Sequence, residues 1–303
     1  MRYSVVIPVY ERYEEPKALL DGLCATLRKE GLERIWLVDD GSSTDELKYL
    51  PPLFSHLKPV EYLRCEHLGP VHAINEALKR SDADIVVVIS SDAEIVTRET
   101  LNGIRYSDRV SNDPIGNLVH VLQQADEFGA IAPLLLVKGV YERVLSIDIT
   151  FDIDTAAQRF SGLLLFTEQL LYWPGFRLRP VQSVRGTCLA FKRELIDQLD
   201  ESLHPWFRWA DDLCTRVRAA GKHVILTNSS CIAHELFSEQ PPGSFAELDV
   251  ETVEQVNQRF RLKWANRKDL LDPDKVRPVE RRLVITPQSF WLLSGSVAYG
   301  GTV

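Results

Sequence analysis

Three short runs in the N-terminal third of the chain are apolar without interruption: Val5-Val6-Ile7, Ile35-Trp36-Leu37-Val38 and Ile85-Val86-Val87-Val88-Ile89. A strand with one wet face alternates apolar and polar residues. A continuous apolar run of strand length is expected where both faces are covered. Helical patterns lie between these runs. Glu15 to Lys29 places Leu19, Leu20, Leu23 and Leu27 on one face, and Val71 to Lys79 does the same with Val71, Ile74 and Leu78. A short helix is predicted from Thr44 to Tyr49, ended by Pro51-Pro52, and a further strand from Val60 to Leu63. Strand and helix in alternation predict an α/β fold, a parallel doubly wound sheet with right-handed crossovers. Such sheets bind ligands beyond the carboxyl ends of their strands, so the polar residues that follow each run come under suspicion first.

Composition narrows the class. The chain has 303 residues, 45% hydrophobic and 26% charged, which excludes a disordered, collagen-like or coiled-coil chain. Lys+Arg 35 against Asp+Glu 43 gives a net charge of −8, a poor match to nucleic acid, and no nucleic-acid partner is expected. No run approaches the roughly 18 apolar residues that span a bilayer. The N-terminus enters a strand without a charged leader, so a soluble, cytoplasmic protein is expected. Cys24, Cys65, Cys188, Cys214 and Cys231 form no C-x-x-C pair and read as reduced, mostly buried thiols.

The later chain is less regular. A helix is predicted near Ile115 to Gln124, an apolar run spans Ile131 to Val137, and a loop is marked by Trp173-Pro174-Gly175. Helices are predicted over Lys192 to Leu199 and Asp212 to Ala220, and a strand over His223 to Leu226. Val250 to Trp264 reads as an amphipathic helix with Val253, Val256, Phe260 and Trp264 on one side. The tail after Asp272 is weakly patterned, although Ser289 to Leu293 is apolar enough to dock.

Four polar features fall at element ends. Asp39-Asp40-Gly41-Ser42 follows the second strand; a carboxylate there suits a base imide N–H or a ribose hydroxyl, while the ordinary reading is a turn and a helix cap. Ser90-Ser91-Asp92-Ala93-Glu94 follows the run at Ile85, where a carboxylate can hold Mg²⁺ or Mn²⁺ against phosphate, or merely cap a helix. Asp211 and Asp212 open a helix, either complementing its dipole or supplying a general base. His234 is a lone histidine just past a short strand, a position more often structural than ligating.

In their order, the segments SVVIPVYER, LVDDGSSTD, GPVHAINEAL, DADIVVVISSDAEI, VRGTCLAFKREL and WADDLCTRVRAAGKHV, followed by IAHE, resemble the inverting glycosyltransferases of family 2. The later segments resemble that family's rhamnosyltransferase-like bacterial branch. The likeness runs from Ser4 to His234. It implies the GT-A fold, a Rossmann-like, mostly parallel central sheet with helices on both faces, here with a C-terminal helical extension. It implies a nucleotide-sugar-binding half over 1–104, an acceptor-binding half of the same domain over 105–245, and a C-terminal helix and tail over 246–303. Pro8, Val9, Tyr10 and Glu11 are then expected to line the base and ribose. Asp40 is expected on the base in preference to Asp39, and Asn75, Ser91, Asp92, Arg185 and Gly186 elsewhere around the donor. Asp92 falls on the last acid of the D-x-D metal motif, and His234 matches the histidine that completes coordination of a divalent cation, Mn²⁺ or Mg²⁺. Asp211 or Asp212 is expected as the catalytic base, Asp211 being preferred.

Two departures stand out. Ser90 replaces the first acid of D-x-D, which implies a weakly held cation. Aligned on Leu213-Cys214, the family's usual base position is Ala210, one residue before Asp211. The reading is therefore transfer of a sugar, with inversion, from a UDP- or dTDP-sugar to a hydroxyl of a glycan, lipid-linked or small-molecule acceptor, in polysaccharide or glycoconjugate assembly. It leaves room for an oligomer and for a peripheral membrane contact through the C-terminal helix or tail. Two alternatives are a degenerate domain that binds nucleotide sugar or glycan without turnover, and a sugar-phosphate nucleotidyltransferase. The latter wants a glycine-rich loop where this chain reads Pro8-Val9-Tyr10-Glu11-Arg12.

Overall fold

The continuous apolar runs are strands, and helices cover both sides of them. The structure is a computed structural model that describes residues 1–28, 30–102, 104, 107–144, 150–151, 158–159, 178–203, 208–234 and 250–271. The N-terminal part runs β1 (Tyr3–Val9), α1 (Glu14–Thr26), β2 (Leu32–Asp39), α2 (Leu50–Phe54), β3 (Val60–Arg64), α3 (Pro70–Leu78) and β4 (Ile85–Ile89). Then follow β5 (Glu94–Val96), α4 (Pro114–Gln124), β6 (Phe128–Val137), β7 (Val140–Val144) and a separate antiparallel pair, β8 (Thr150–Phe151) with β9 (Gln158–Arg159). The rest is β10 (Leu178–Val181), β11 (Cys188–Lys192), α5 (Trp209–Ala219), β12 (His223–His234) and α6 (Val250–Trp264).

One sheet joins the strands in the order β10-β12-β6-β11-β4-β1-β2-β3, with β5 beside β12 and β7 beside β6. β4, β1, β2 and β3 run parallel, as do β6 and β12; β11 lies antiparallel between β4 and β6. The mixed α/β sheet, its central strands mostly parallel, is that of the GT-A fold. Alternation along β1 explains the two-sided burial. Val5, Ile7 and Val9 face Leu19, Leu20 and Leu23 of α1 and Leu118 of α4. Val6 faces the other way, into the core shared with Ile74 of α3 and Leu213 of α5. Each such buried Leu, Ile or Val contributes about 1.5–3 kcal/mol over exposure. The cysteines fit this scheme: Cys24, Cys188, Cys214 and Cys231 are buried, Cys65 half-buried, and all are free.

Four expectations about elements need correction. The predicted helix ended by Pro51-Pro52 does not end there. A 3₁₀ turn over Glu46–Tyr49 runs into α2, which takes the two prolines in its first turn; proline there removes only an amide that has no helical partner. The first helix stops at Thr26 instead of reaching Lys29, with Leu27 extended. The predicted helix from Lys192 to Leu199 is instead the end of β11 and one 3₁₀ turn over Arg193–Leu195. Of that segment only Lys192 pairs in the sheet, with Ile85 of β4, and further on the Asn75 side chain takes both the N–H and the C=O of Leu199 in place of helical partners. β12 extends the predicted strand from Leu226 to His234, which carries that histidine to the strand's end.

α6 occupies its predicted residues. Phe260 and Trp264 are buried with Leu203 and Leu270, so this helix packs back on the fold. The side chain of Val253, the loop Trp173-Pro174-Gly175 and the tail from 272 onward lie outside the described residues. No helix among the described residues is long and apolar enough to cross a membrane.

Candidate active site at the strand ends

The loops after β1 and β2 are bound to each other. The Glu11 amide donates to Ser42 Oγ at 2.9 Å, and the Glu11 carboxylate accepts from the Ser43 amide and, at 2.9 Å, from Ser43 Oγ. Glu11 holds φ at 51°, the left-handed region that non-glycine residues seldom adopt; such outliers persist where the surroundings enforce them and cluster at functional sites. Gly41 also has positive φ, 75°, and a Cβ there would lie 2.8 Å from the His67 backbone nitrogen. Gly41→Ala therefore meets strain and a backbone clash together. It is expected to cost at least about 1–2 kcal/mol, read as a lower thermal midpoint with weakened nucleotide binding.

The two acids after β2 have distinct partners. Asp39 Oδ1 accepts from the Ser42 amide at 2.8 Å and Oδ2 from the Tyr62 hydroxyl at 2.6 Å. Asp40 accepts from the Leu68 and Gly69 amides at 3.0–3.1 Å, where α3 begins, and contacts His67 Nδ1 at 3.0 Å. Burial pushes the Asp40 carboxyl up, and His67 and those amides oppose the rise. His67 in turn stacks on Tyr10, with ring centroids 4.0 Å apart and planes 12° apart. Tyr10, Asp40 and His67 thus form one cluster at the ends of β1 and β2.

The second cluster joins residues far apart in sequence. His234 Nε2, at the end of β12, lies 3.2 Å from Asp92 Oδ1, just past β4. Ser90 Oγ donates to the same carboxylate at 2.5 Å, and Arg12, from the loop after β1, approaches its other oxygen at 3.7 Å. Burial works against the charge, yet His234, Ser90 and Arg12 together hold the Asp92 carboxyl well below the usual carboxylate range. No group of three or more His, Cys, Asp or Glu among the described residues could hold a metal. One carboxylate beside one imidazole still fits a hard divalent cation that takes its remaining ligands from a substrate diphosphate, the usual arrangement for Mg²⁺ with phosphates.

The third cluster is the first turn of α5. Asp211 and Asp212 are both 1% exposed. Asp211 accepts from Ser183 Oγ and from Arg208 Nη1, each at 2.7 Å. Asp212 accepts from Trp264 Nε1 at 2.9 Å and pairs with Lys263 Nζ at 2.8 Å. Burial raises the Asp212 carboxyl, and Lys263 and Trp264 counter it. Ala210, the usual base position of the resembled family, packs in the core with Leu213. Gly186 lies against this turn: a Cβ there would meet the Trp209 indole at 2.5 Å.

Of the expected donor residues, Glu11, Asp39 and Asp40 carry the loop contacts just described, and Ser91 is buried beside Asp92. Arg185 is exposed, one residue before Gly186. Asn75 lies apart from these contacts. Its side chain braces α3 against Leu199 and Glu201 through bonds of 2.7–3.0 Å. Sequence reading missed Arg12, His67, Ser183 and Arg208. Only Arg208 had a usable signal, a basic residue three before an acid at a helix start.

Residues 4–125 match the model of the family described as glycosyl transferase family 2. No curated protein matches the chain. Among solved structures, GalNAc-T7 with UDP, GalNAc and Mn²⁺ shares 16% identity at a TM-score of 0.61, over 89% of this chain and 50% of that one. The mannosyltransferase PcManGT from Pyrobaculum calidifontis, with GDP-Man and Mn²⁺, shares 17% identity at a TM-score of 0.55, over 89% of this chain and 64% of that one. S. aureus TarS 1-349 with UDP shares 14% identity at a TM-score of 0.56, over 89% of this chain and 70% of that one. At these identities the likeness is one of fold, and the chain spans about half the length of the first of them. The chain thus resembles the GT-A glycosyltransferases in fold, and residues 4–125 match the model of glycosyl transferase family 2.

Proposed function

We propose that this chain is an inverting hexosyltransferase that moves a sugar from a UDP- or dTDP-sugar to an acceptor hydroxyl. The observation that carries the reading is the meeting of Asp92 and His234, 3.2 Å apart at the ends of β4 and β12, beside Arg12 from the loop after β1. Residues from positions 12, 92 and 234 thus converge where α/β sheets bind ligands. UDP in GalNAc-T7 and TarS 1-349, and Mn²⁺ in GalNAc-T7 and PcManGT, support the same class of donor and cation here.

Each cluster takes a part. Tyr10 and the buried Asp40 receive the base, a carboxylate suiting the imide N–H of uracil or thymine. Asp92 and His234 hold a divalent cation, which when bound supplies charge stabilisation to the leaving diphosphate. Asp211 accepts the proton of the acceptor hydroxyl as that oxygen bonds to the anomeric carbon. The bond from that carbon to the diphosphate oxygen breaks on the opposite face, and its electron pair leaves with the nucleotide. One displacement inverts the centre. Positioning supplies much of the acceleration. Residues 1–104 then serve the donor and 105–245 the acceptor, a glycan, lipid-linked or small-molecule hydroxyl of polysaccharide or glycoconjugate assembly.

A thermal-shift panel of UDP, dTDP, GDP and CDP, with and without Mn²⁺, tests the donor site. A nucleotide at a hundredfold excess over its Kd stabilises the fold by about 2.7 kcal/mol. UDP or dTDP is expected to raise the midpoint, and more so with Mn²⁺. A shift with none of the four would favour the degenerate domain.

A further inference from the structure

We propose that α6 is part of the catalytic unit, with Arg208 as the positioning residue that holds Asp211 ionised and aimed. The proposal rests on Asp211 being the base. Arg208 is among the largest fully buried side chains of the fold. A buried guanidinium must have its donors met, and here the partners lie on two elements. Nη1 reaches Asp211 at 2.7 Å, while Nε and Nη2 both reach Asn257 Oδ1 on α6, at 3.0 and 2.8 Å. The guanidinium carbon sits 5.2 Å from the centre of the Phe260 ring. Asn257 and Phe260 are three residues apart and so share a face of α6.

The planar fork makes this geometry possible, because one edge binds the carboxylate while the other is pinned to α6. Ser183 holds the second Asp211 oxygen from the loop after β10. The neighbouring pair repeats the attachment further along α6, where Asp212 meets Lys263 and Trp264, and Lys263 also reaches Asp200 at 2.6 Å. A buried ion pair adds little stability over an apolar pair of the same volume, so stability alone gives no reason for Arg208. An opposite charge at 2.7 Å favours the ionised carboxylate over its protonated form. Among the described residues, the charged and titratable groups facing this turn include Arg208 and Cys214 against Asp211, and the adjacent Asp212 with its partner Lys263. The Cys214 thiol, which burial pushes up to about 12, stays neutral.

The experiment uses the full chain and follows kcat, donor KM and the pH profile of kcat for Asn257→Ala and Arg208→Lys. Asn257→Ala leaves Arg208 and Asp211 in place, so it guards against a variant that fails to fold. The expected result is a fall in kcat of about tenfold, an unchanged donor KM, and an acid limb moved up by about one pH unit. A lower thermal midpoint with kcat and the acid limb unchanged would leave α6 a merely structural element and overturn the proposal. Asp211→Asn run in parallel separates the two ideas. Full turnover in that variant removes the base assignment and the proposal with it. Loss there, with wild-type profiles for Asn257→Ala and Arg208→Lys, removes only the role of α6.

Discussion

Replacing Asp211 by Asn is expected to reduce sugar transfer by about 10²–10⁴-fold, the usual contribution of a positioned general base. The substitution keeps the shape of the side chain and an oxygen for Ser183 or Arg208. In the proposed mechanism it removes the group that takes the acceptor's proton. It also removes the charge opposite Arg208, and breaking one side of a buried pair costs about 3–5 kcal/mol. That cost is partly offset because Arg208 retains Asn257 and Phe260. Transfer is therefore to be measured well below the variant's own midpoint, beside the thermal shift given by UDP. The shift is expected to persist, since the proposed base cluster of Tyr10, Asp40 and His67 makes its contacts among the loops after β1, β2 and β3. Transfer that survives would move the base to Asp212, whose carboxylate is now engaged by Lys263 and Trp264.

Asp92→Ala is expected to remove most of the cation dependence of donor binding and to slow transfer by about 10²–10³-fold, the cost of losing one stabiliser of transition-state charge. With Ser90 in place of the motif's first acid, Asp92 is the carboxylate on which both His234 and Arg12 converge. Its loss removes the carboxylate that meets His234 and Arg12, while Arg12 keeps Glu15 at 3.2 Å. Titration of UDP with and without Mn²⁺ into both proteins checks this. An unchanged affinity with an unchanged response to Mn²⁺ would exclude a cation role for Asp92.

The sheet was legible because its central strands are buried on both faces. Val5 to Ile7, Ile35 to Val38 and Ile85 to Ile89 could not lie in the solvated strands of an open antiparallel sheet. α6 was legible from the spacing of Phe260 and Trp264. The Lys192 to Leu199 segment misled because its backbone is held from outside: Lys192 pairs with Ile85 of β4, and the Asn75 side chain binds the Leu199 backbone. The resemblance, carried by the order of the polar clusters, pointed to Asp92 and His234. It could not show that Arg208 would bind Asn257, forty-nine residues away. Nor could it show that Asp40 would organise the start of α3 through the Leu68 and Gly69 amides. Such contacts depend on how β12 and α6 return to the sheet, which no local pattern encodes.

The most direct test is proton NMR of the anomeric signals while the protein and Mn²⁺ are incubated with α-linked UDP- and dTDP-hexoses. Even without acceptor, water can stand in for the hydroxyl. The account predicts release of UDP or dTDP with the β-anomer as the first free sugar, before mutarotation mixes the two, and loss of that signal in Asp211→Asn. An α-anomer formed first would contradict the single displacement. A folded protein that binds the nucleotide yet releases none from any donor would contradict the transferase itself.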